Sequence, residues 1–175
     1  METIKTTRYL SPAGEMILGS LGDRLCLCDW AAEKRLSATE RRICRHLGAK
    51  YEEGMSETIR LAMTQLDDYF AGHRRTFTVP LLQAGTGFQC RVWAELSKTA
   101  YGTTISYAEL ARRTGNPKAV RAVASANAAN PISIFVPCHR VIGSDNRLTG
   151  YAGGVAAKQL LLALEARLSG YMLPL

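Results

Sequence analysis

A cysteine and a histidine stand side by side in the segment IFVPCHRVIG, which runs from Ile134 to Gly143. A thiol becomes a nucleophile when a neighbouring group takes its proton, and an adjacent imidazole can be that base. Pro137 restricts the chain before Cys138 and can help turn the thiol towards a cleft. Adjacent side chains of an extended strand point to opposite faces, so Cys138 and His139 need a turn here, or a bridging water. The alternative is that Cys138 is an inert residue of the core.

A carboxylate lies on the apolar face of the last predicted helix, VAAKQLLLALEARL. The leucines that define this face are Leu161, Leu164 and Leu168. Glu165 shares their face, and a buried carboxylate requires a partner. His139 is the candidate partner, because the other two histidines, His46 and His73, belong to the first half of the chain. The pattern predicts a Cys–His–Glu relay, although Glu165 could instead reach solvent or Arg167.

The relay by itself leaves the electrophile open. Attack by the thiolate on an acyl carbon gives a thioester that water can hydrolyse, which is the chemistry of a cysteine hydrolase. Attack on an alkyl carbon gives a thioether, from which there is no easy exit. The elements around the cysteine must decide between these two chemistries.

Length and composition bound the class of protein. The chain has 175 residues, 47% of them hydrophobic, which suits one domain or two small ones. No apolar run reaches the roughly 18 residues of a membrane span, and METIKTTRYL lacks the core of a signal peptide. Five cysteines without disulfide-framework spacing favour a reducing cytoplasm. Neither Cys26-x-Cys28 nor Cys44-x-His46 has zinc-site spacing, so we expect no metal site.

The positive charge is concentrated in the half of the chain that contains PCHR. The net charge is +7, and from Phe88 onward there are ten Lys or Arg against four Asp or Glu. Residues 1 to 87 carry twelve against eleven. This asymmetry is consistent with a polyanionic partner of the second half, or with an ordinary basic surface.

The first half has an α+β pattern. RLCLCDW alternates Leu25 and Leu27 with two cysteines, which predicts a half-buried strand. EKRLSATERRICRHLG predicts a helix that ends at Gly48. ETIRLAMTQLDDYFAG predicts a second helix, capped by Ser56 and ending near Gly72. TFTVPLLQAGTG is an extended linker, so we place the domains at residues 1–85 and 86–175.

The second half is mainly helical. Thr86 with Gln89 and Ser106 with Glu109 predict capping boxes that open FQCRVWAELSK and YAELARR. After the turn TGN, Asn116 is expected to cap a helix with the sequence PKAVRAVASANAA. Two short helices joined by a tight turn containing glycine indicate a helix-turn-helix. The alanines make the second helix thin, so that it can closely approach a protein element or a nucleic acid groove.

The remaining segments lead to the cysteine and away from it. ISIFV, after Pro131, predicts a short buried strand that ends at Cys138. GYAGG predicts a tight loop at 150–154. The final helix is expected to run towards Gly170.

Taken together, these motifs resemble those of the O6-alkylguanine-DNA alkyltransferases, also called methylated-DNA–protein-cysteine methyltransferases. PCHRV matches the active-site signature of this family, and TISYAEL, GNPKAVRAV, NPISI, GYAGG and the glutamate of LLALEARL extend the similarity over residues 86 to 168. The resemblance implies a small mixed α/β N-terminal domain, ribonuclease H-like, and a mainly helical, winged-helix-like C-terminal domain. It implies transfer of an alkyl group from O6-alkylguanine to the protein's own cysteine in a single turnover, with O4-methylthymine as a further candidate substrate.

The resemblance also implies catalytic roles for individual residues. Cys138 accepts the alkyl group, His139 activates it through water, and Glu165 holds the imidazole. Asn130 ties the recognition helix to the active-site turn through side-chain hydrogen bonds. Tyr151 lines the pocket and donates a proton to the guanine ring.

Further roles concern the extruded nucleotide and its duplex. Tyr107 presses on the phosphate 3′ to the damaged nucleotide, and Arg121 fills the space that the flipped base leaves. Val141 and Cys138 offer carbonyls to the exocyclic amine of guanine, and Gly153 belongs to the substrate site. Ala152 stands where relatives carry serine or alanine, so only its N–H can serve O6. The expected DNA contacts in the minor groove come from Tyr107, Lys118, Ala119, Arg121 and Ala122.

Two other functions compete with this interpretation. In a DNA-binding regulator, the helix-turn-helix would find an operator and Cys138 would sense alkylation or oxidation. A cysteine hydrolase would turn over esters or amides and would give Arg121 no role. The resemblance favours a cytoplasmic monomer that binds double-stranded DNA and no membrane.

Overall fold

The computed structural model describes residues 1–143, 145, 148 and 150–169. The chain divides into two compact units, of which the first is Met1–Gly85 and the second begins at Thr86. Residues 170–175, including the Gly170 towards which the last helix was expected to run, lie outside the described residues. Within the described part, no helix is long and apolar enough to cross a bilayer.

The first unit is a four-stranded sheet with two helices. Its strand order is β3-β2-β1-β4, antiparallel except for the parallel pair β1 and β4. The elements are β1 (Glu2–Ser11), β2 (Gly14–Leu21), β3 (Arg24–Trp30), α1 (Glu33–Leu47), β4 (Ala49–Glu53) and α2 (Glu57–Phe70).

The ends of both helices follow the sequence signals. Gly48 adopts a left-handed conformation, with φ of 59°, and ends α1 as predicted. The hydroxyl of Ser56 accepts a hydrogen bond from the Ile59 N–H and caps α2. Both predicted helices are therefore confirmed, each with its expected terminal residue.

The predicted half-burial of RLCLCDW is wrong. Every residue of β3 after Arg24 is buried, including Cys26 and Cys28. The linker closes the outer edge of this strand, because the Leu25 N–H donates to the carbonyl of Pro80 and the Leu82 N–H donates to the carbonyl of Leu25. The cysteines are therefore small apolar residues of a strand covered on both faces.

The second unit is mainly helical and contains one short parallel strand pair. Ile105 pairs with Val141 and Ser106 with Ile142, so the strand before the helix-turn-helix lies beside the strand that follows PCHR. The elements are α3 (Gly87–Ser97), β5 (Ile105–Ser106), α4 (Tyr107–Arg113), α5 (Val120–Ala128), a 3-10 turn (Cys138–Arg140), β6 (Val141–Ile142) and α6 (Val155–Ser169).

The two predicted capping boxes behave differently. Thr86 and Gln89 bond reciprocally at the start of α3, as predicted. The hydroxyl of Ser106 accepts from the Glu109 N–H at the start of α4. The Glu109 carboxylate, however, accepts hydrogen bonds from Arg112 and Arg113 one turn further on.

The predicted start of the second helix of the helix-turn-helix is wrong. α5 begins at Val120, and its N-cap Ala119 makes no side-chain capping bond. Asn116 instead closes a turn: its Oδ1 accepts from the Lys118 N–H and its carbonyl from the Ala119 N–H. This local bonding uses the asparagine side chain before the helix starts. The recognition helix is therefore shorter than the sequence pattern indicates.

Trp93 joins α3 to α5 in the core of the second unit. Its side chain is fully buried, and its indole Nε1 donates to the carbonyl of Ala126 at 2.8 Å. A buried aromatic ring with a satisfied polar atom combines apolar burial with a directional bond. Trp93 thus anchors the helix that carries Arg121.

We expect Trp93→Phe to lower the free energy of unfolding by about 2 kcal/mol, through the lost hydrogen bond and the smaller ring. Urea denaturation followed by circular dichroism measures this change. The exposed substitution Lys98→Ala should stay within about 0.5 kcal/mol of the parent chain. Equal effects of the two substitutions would contradict the anchoring role of Trp93.

Candidate active site

The segment ISIFV, predicted as a strand, forms a tight turn. The Phe135 N–H donates to the carbonyl of Ser133, and the Val136 N–H donates to the carbonyl of Ile132. Ile134, at the centre, has φ of 74°, which a β-branched residue rarely adopts. An i to i+2 bond around positive φ is the rare, strained form of the γ-turn. Apolar composition identified this segment as buried, but it could not reveal the strained backbone.

A second γ-turn, centred on Pro137, delivers the cysteine. Pro137 has φ of −82° and ψ of 63°, and the Cys138 N–H donates to the carbonyl of Val136 at 2.8 Å. The chain then enters the 3-10 turn Cys138–Arg140. A 3-10 turn rotates successive side chains by about 120°, so Cys138 and His139 do not point to opposite sides as strand neighbours do. The expected turn at this pair is therefore present.

Asn130 holds the strained segment in place. Its Nδ2 donates to the Val136 carbonyl at 2.8 Å, and its Oδ1 accepts from the Ile132 N–H at 3.0 Å. The side chain is fully buried, so both bonds are protected from water. Asn130 comes immediately after Ala129, the C-cap of α5, and it therefore links the end of that helix to the turn that precedes Cys138.

Glu165 reaches the imidazole of His139. The His139 Nε2 lies 3.1 and 3.2 Å from the two carboxylate oxygens, and both side chains have 0% of their surface exposed. Nε2 donates to the carboxylate, which leaves Nδ1 as the ring's acceptor. Among the described residues, this Nδ1 has no hydrogen-bond partner. An unoccupied lone pair on an oriented imidazole is suited to taking a proton.

Arg140 binds the same carboxylate. Its Nε donates to both oxygens of Glu165 at 3.0 and 3.1 Å, and its Nη1 donates to the carbonyl of Thr99 at 2.6 Å. The guanidinium carbon also lies 5.6 Å from the centre of the Tyr101 ring. The buried negative charge of Glu165 is thus compensated by a permanent positive charge.

The charges around the relay shift two pKa values in the same direction. Burial lowers the pKa of His139, with further lowering from Arg140 and Lys158, and these effects outweigh the raising effect of Glu165. Burial tends to raise the pKa of Glu165, but the charges and hydrogen bonds of His139 and Arg140 lower it to about 2. At neutral pH the imidazole is therefore neutral and the carboxylate ionised, which is the resting state that a general base requires.

Cys138 lies at the surface end of this arrangement. It has 5% of its surface exposed, whereas His139 behind it has none. Cys138 is therefore buried, but less completely than His139. The structure brings together three of the predicted catalytic residues, Cys138, His139 and Glu165, with Asn130 supporting their turn.

The predicted DNA-contacting residues lie on the two helices of the helix-turn-helix. Tyr107 is the first residue of α4 and is half-buried. Lys118 lies in the exposed turn between the helices, and Ala119 is the N-cap of α5. Arg121 and Ala122 are exposed in the first turn of α5. Three exposed residues thus cluster where α5 begins.

The predicted substrate loop precedes α6. Tyr151, Ala152 and Gly153 are half-buried, and the Gly154 N–H donates to the Tyr151 carbonyl at 2.9 Å. Gly154 has φ of 89°, a conformation that favours glycine. The loop is therefore a tight turn, as its composition predicted, and it leads directly into the helix that carries Glu165.

The sequence interpretation missed two charged residues of the site, Arg140 and Lys158. Both are buried, and the Lys158 Nζ donates to the Val141 carbonyl at 2.6 Å. Lys158 stands seven residues before Glu165, so helical spacing alone could have placed it on the inner face of α6. Arg140 follows His139 directly, but only the fold shows that both reach one carboxylate.

The cysteines of the chain all lie within the described residues, and none forms a disulfide. Cys26 and Cys28 are buried in β3, and burial raises the pKa of Cys26 to about 12. In the part of the chain that the structure describes, no three His, Cys, Asp or Glu side chains are grouped to hold a metal ion.

Comparison with protein families assigns both units. Residues 87–167 match the DNA-binding domain of 6-O-methylguanine DNA methyltransferase, and residues 4–83 match the ribonuclease-like domain of the same family. The two matches together span nearly the whole chain, including the first unit that no motif had identified.

Individual relatives agree with this assignment along most of their length. A constitutive methylated-DNA–protein-cysteine methyltransferase of Bacillus subtilis is 43% identical over 89% of this chain and 91% of its own. One from Haemophilus influenzae is 40% identical over 94% of this chain and 88% of its own. The crystal structure of Mycobacterium tuberculosis OGT in complex with DNA superposes with a TM-score of 0.80, at 40% identity, over 94% of each chain.

We expect the Glu165 carboxylate to stabilise the second unit in a pH-dependent way. Its folded pKa lies below the roughly 4.3 of an unfolded glutamate, so its contribution is complete above that pH and is lost as the pH falls towards 2. The stability difference between the parent chain and Glu165→Gln should narrow by about 2 kcal/mol from pH 7 to pH 3. Urea denaturation, followed by Trp93 fluorescence in a Trp30→Phe background, measures this difference.

Glu109→Gln is the matched control. Hydrogen bonds from Arg112 and Arg113 also lower the pKa of Glu109 to about 2, but this carboxylate is solvated, so its substitution should matter less. If the difference in free energy of unfolding between the parent chain and Glu165→Gln stays constant with pH, the assigned ionisation of Glu165 is contradicted.

Proposed function

The chain belongs to the 6-O-methylguanine DNA methyltransferase family, and from that premise we propose that Cys138 is the residue that receives the alkyl group. Its activity is that of a methylated-DNA–protein-cysteine methyltransferase, with DNA as the partner of its second domain. The observation that carries the assignment to Cys138 is the buried contact between His139 and Glu165, at 3.1 Å, beside this thiol. Of the five cysteines, Cys138 alone adjoins a histidine.

The transfer is an in-line displacement. His139 accepts the thiol proton through a water molecule, and Glu165 stabilises the imidazolium that results. The thiolate attacks the carbon attached to O6 of guanine, so a C–S bond forms while the C–O bond breaks. The electron pair of the broken bond remains on the purine, which takes a proton on its ring from Tyr151. The products are S-alkylcysteine and guanine, and each molecule acts once because a thioether has no easy exit.

The lesion is an O6-alkylguanine, and O4-methylthymine is a second substrate. The carbonyls of Cys138 and Val141 accept from the exocyclic amine of guanine, and the Ala152 N–H donates to O6. Gly153 lies beside this contact. The strained turn that Asn130 holds fixes where the Cys138 backbone stands, which supports a pocket shaped before the substrate arrives.

The lesion must leave the duplex to reach the thiol, at a cost of a few kcal/mol. Tyr107 presses on the phosphate 3′ to it, and Arg121 enters the vacated stack, which offsets part of that cost. Lys118, Ala119 and Ala122 contact the minor groove beside them. Support comes from the exposed positions of Arg121 and Ala122 at the slender start of α5.

A DNA-binding regulator is not favoured, because relatives that match about nine tenths of the chain are methyltransferases. A cysteine hydrolase would leave the DNA-binding domain without a purpose. We further propose that the protein acts as a monomer in the cytoplasm, where its five thiols remain reduced. It requires no dissociable cofactor, because the acceptor is part of the chain.

We expect a single added methyl group on the Cys138 peptide after the protein is mixed with a duplex containing O6-methylguanine. Cys138→Ala should abolish the transfer and leave affinity for unmodified DNA nearly unchanged, because the thiol contributes little to binding. Mass spectrometry measures the transfer, and fluorescence anisotropy measures the affinity. Methyl on another residue, or more than one turnover per molecule, would refute the assignment.

We expect Arg121→Ala to slow repair of the duplex at least tenfold while alkylation by free O6-benzylguanine stays within about twofold. The free base needs no extrusion, so it bypasses the step in which Arg121 acts. Single-turnover rates on both substrates measure the two effects. Arg91→Ala removes an equal charge from an exposed position of α3 and serves as the control. Equal losses on both substrates for Arg121→Ala would exclude a role in extrusion.

A further inference from the structure

A buried lysine shares the inner face of α6 with the relay glutamate. Lys158 has 1% of its surface exposed and stands two helical turns, about 10.5 Å along the axis, before Glu165. Its Nζ donates to the Val141 carbonyl, at 2.6 Å, three residues after the reactive cysteine. Lysine is rarely buried to this degree, because removing an ammonium from water is costly. Such a residue therefore calls for an explanation beyond packing.

The two charges of α6 flank the Cys138–His139 pair in a defined order. Glu165 contacts the imidazole, whereas the Lys158 ammonium is held against the backbone that follows the thiol. Proton transfer from sulfur to imidazole creates a negative charge on Cys138 and a positive charge on His139. Glu165 is then beside the new imidazolium and favours it, and the positive charge of Lys158 interacts with the new thiolate. Lys158 also lowers the pKa of His139, so its favourable effect is on the sulfur.

We propose that Lys158 is a positioning residue that acts as the counter-charge of the Cys138 thiolate. This inference rests on the proposed function only in taking Cys138 as the acceptor. The Val141 carbonyl fixes the ammonium, so that little reorganisation is needed when sulfur becomes charged. A lysine near a thiol is a recognised means of raising its thiolate fraction at neutral pH.

The ionisation of Lys158 is consistent with this role. Burial lowers the pKa of Lys158 to about 8, while the negative charge of Cys138 acts in the opposite direction. His139 is a second titratable group coupled to Lys158, because Lys158 lowers the pKa of His139. Arg140, the other buried cation of the site, is engaged by Glu165 and Thr99. Lys158 is thus predominantly protonated at pH 7.

The pH dependence of Cys138 alkylation by iodoacetamide tests the proposal, measured by mass spectrometry on the Cys138 peptide between pH 5 and pH 10. We expect the midpoint of the rate profile to rise by about one unit in Lys158→Met, with a rate about tenfold lower at pH 7. At pH values above the midpoint of the Lys158→Met profile, the alkylation rates of the parent chain and of this variant should converge. Lys158→Arg retains the charge and should recover most of the shift.

Lys98→Met is the matched control, because Lys98 is exposed in the same unit and should leave the profile unchanged. Superimposable profiles for the parent chain and Lys158→Met would overturn the proposal. An alkylation rate that is lowered by the same factor at every pH would also overturn it. That result would mean that Lys158 affects only the shape of the turn and not the ionisation of the Cys138 thiol.

A reciprocal measurement does not require Lys158→Met to fold. The pKa of Lys158, followed by ¹³C NMR of its Cε, should be lower in Cys138→Ser than in the parent chain, because the opposing anion is absent. An unchanged Lys158 titration would exclude the coupling. Neither experiment involves DNA, so the role of Lys158 is tested separately from the proposed function. If the pH profile of Cys138 alkylation is unshifted in Lys158→Met while methyl transfer from DNA is normal, the role of Lys158 is refuted and the proposed function stands.

Discussion

The active site depends on one buried carboxylate that two neighbouring residues share. Glu165 binds the imidazole of His139 and the guanidinium of Arg140, and none of its surface is exposed. The compensating charge of Arg140 allows a carboxylate to stay ionised in the core, and the ionised carboxylate in turn fixes the ring. Because α6 carries the acid and the 3-10 turn carries both partners, the same contacts join the last helix to the catalytic turn.

The second constraint is backbone strain next to the nucleophile. Two consecutive γ-turns, the first with Ile134 at positive φ, bring the chain to Cys138, and both bonds of the Asn130 amide hold them. Strain of this kind costs about 1–3 kcal/mol and persists only where the surroundings determine it. Asn130 comes immediately after the C-cap of α5, so its hydrogen bonds connect the end of that helix to the turn before the thiol.

Much of the site could be predicted from the sequence, for identifiable reasons. Glu165 broke an apolar helical stripe, and His139 was the histidine in its half of the chain, so a pairing rule sufficed. The spacing of Lys158 places it on the same apolar stripe, so the same rule applies to it. A lone lysine is ordinarily solvated, however, and its burial was therefore not predicted. The strained turn could not be predicted, because ISIFV has the composition of a buried strand. Its actual backbone conformation depends on the hydrogen bonds of the Asn130 side chain.

The amino-acid sequence determined the helix-turn-helix, most helix ends and the pairing of Glu165 with His139, because these follow from local hydrogen bonding and from the cost of burying charge. Tertiary structure decided how far β3 is buried and which side chains converge on Glu165. Those outcomes depend on partners that are distant in the sequence, so they are fixed only once each unit has folded.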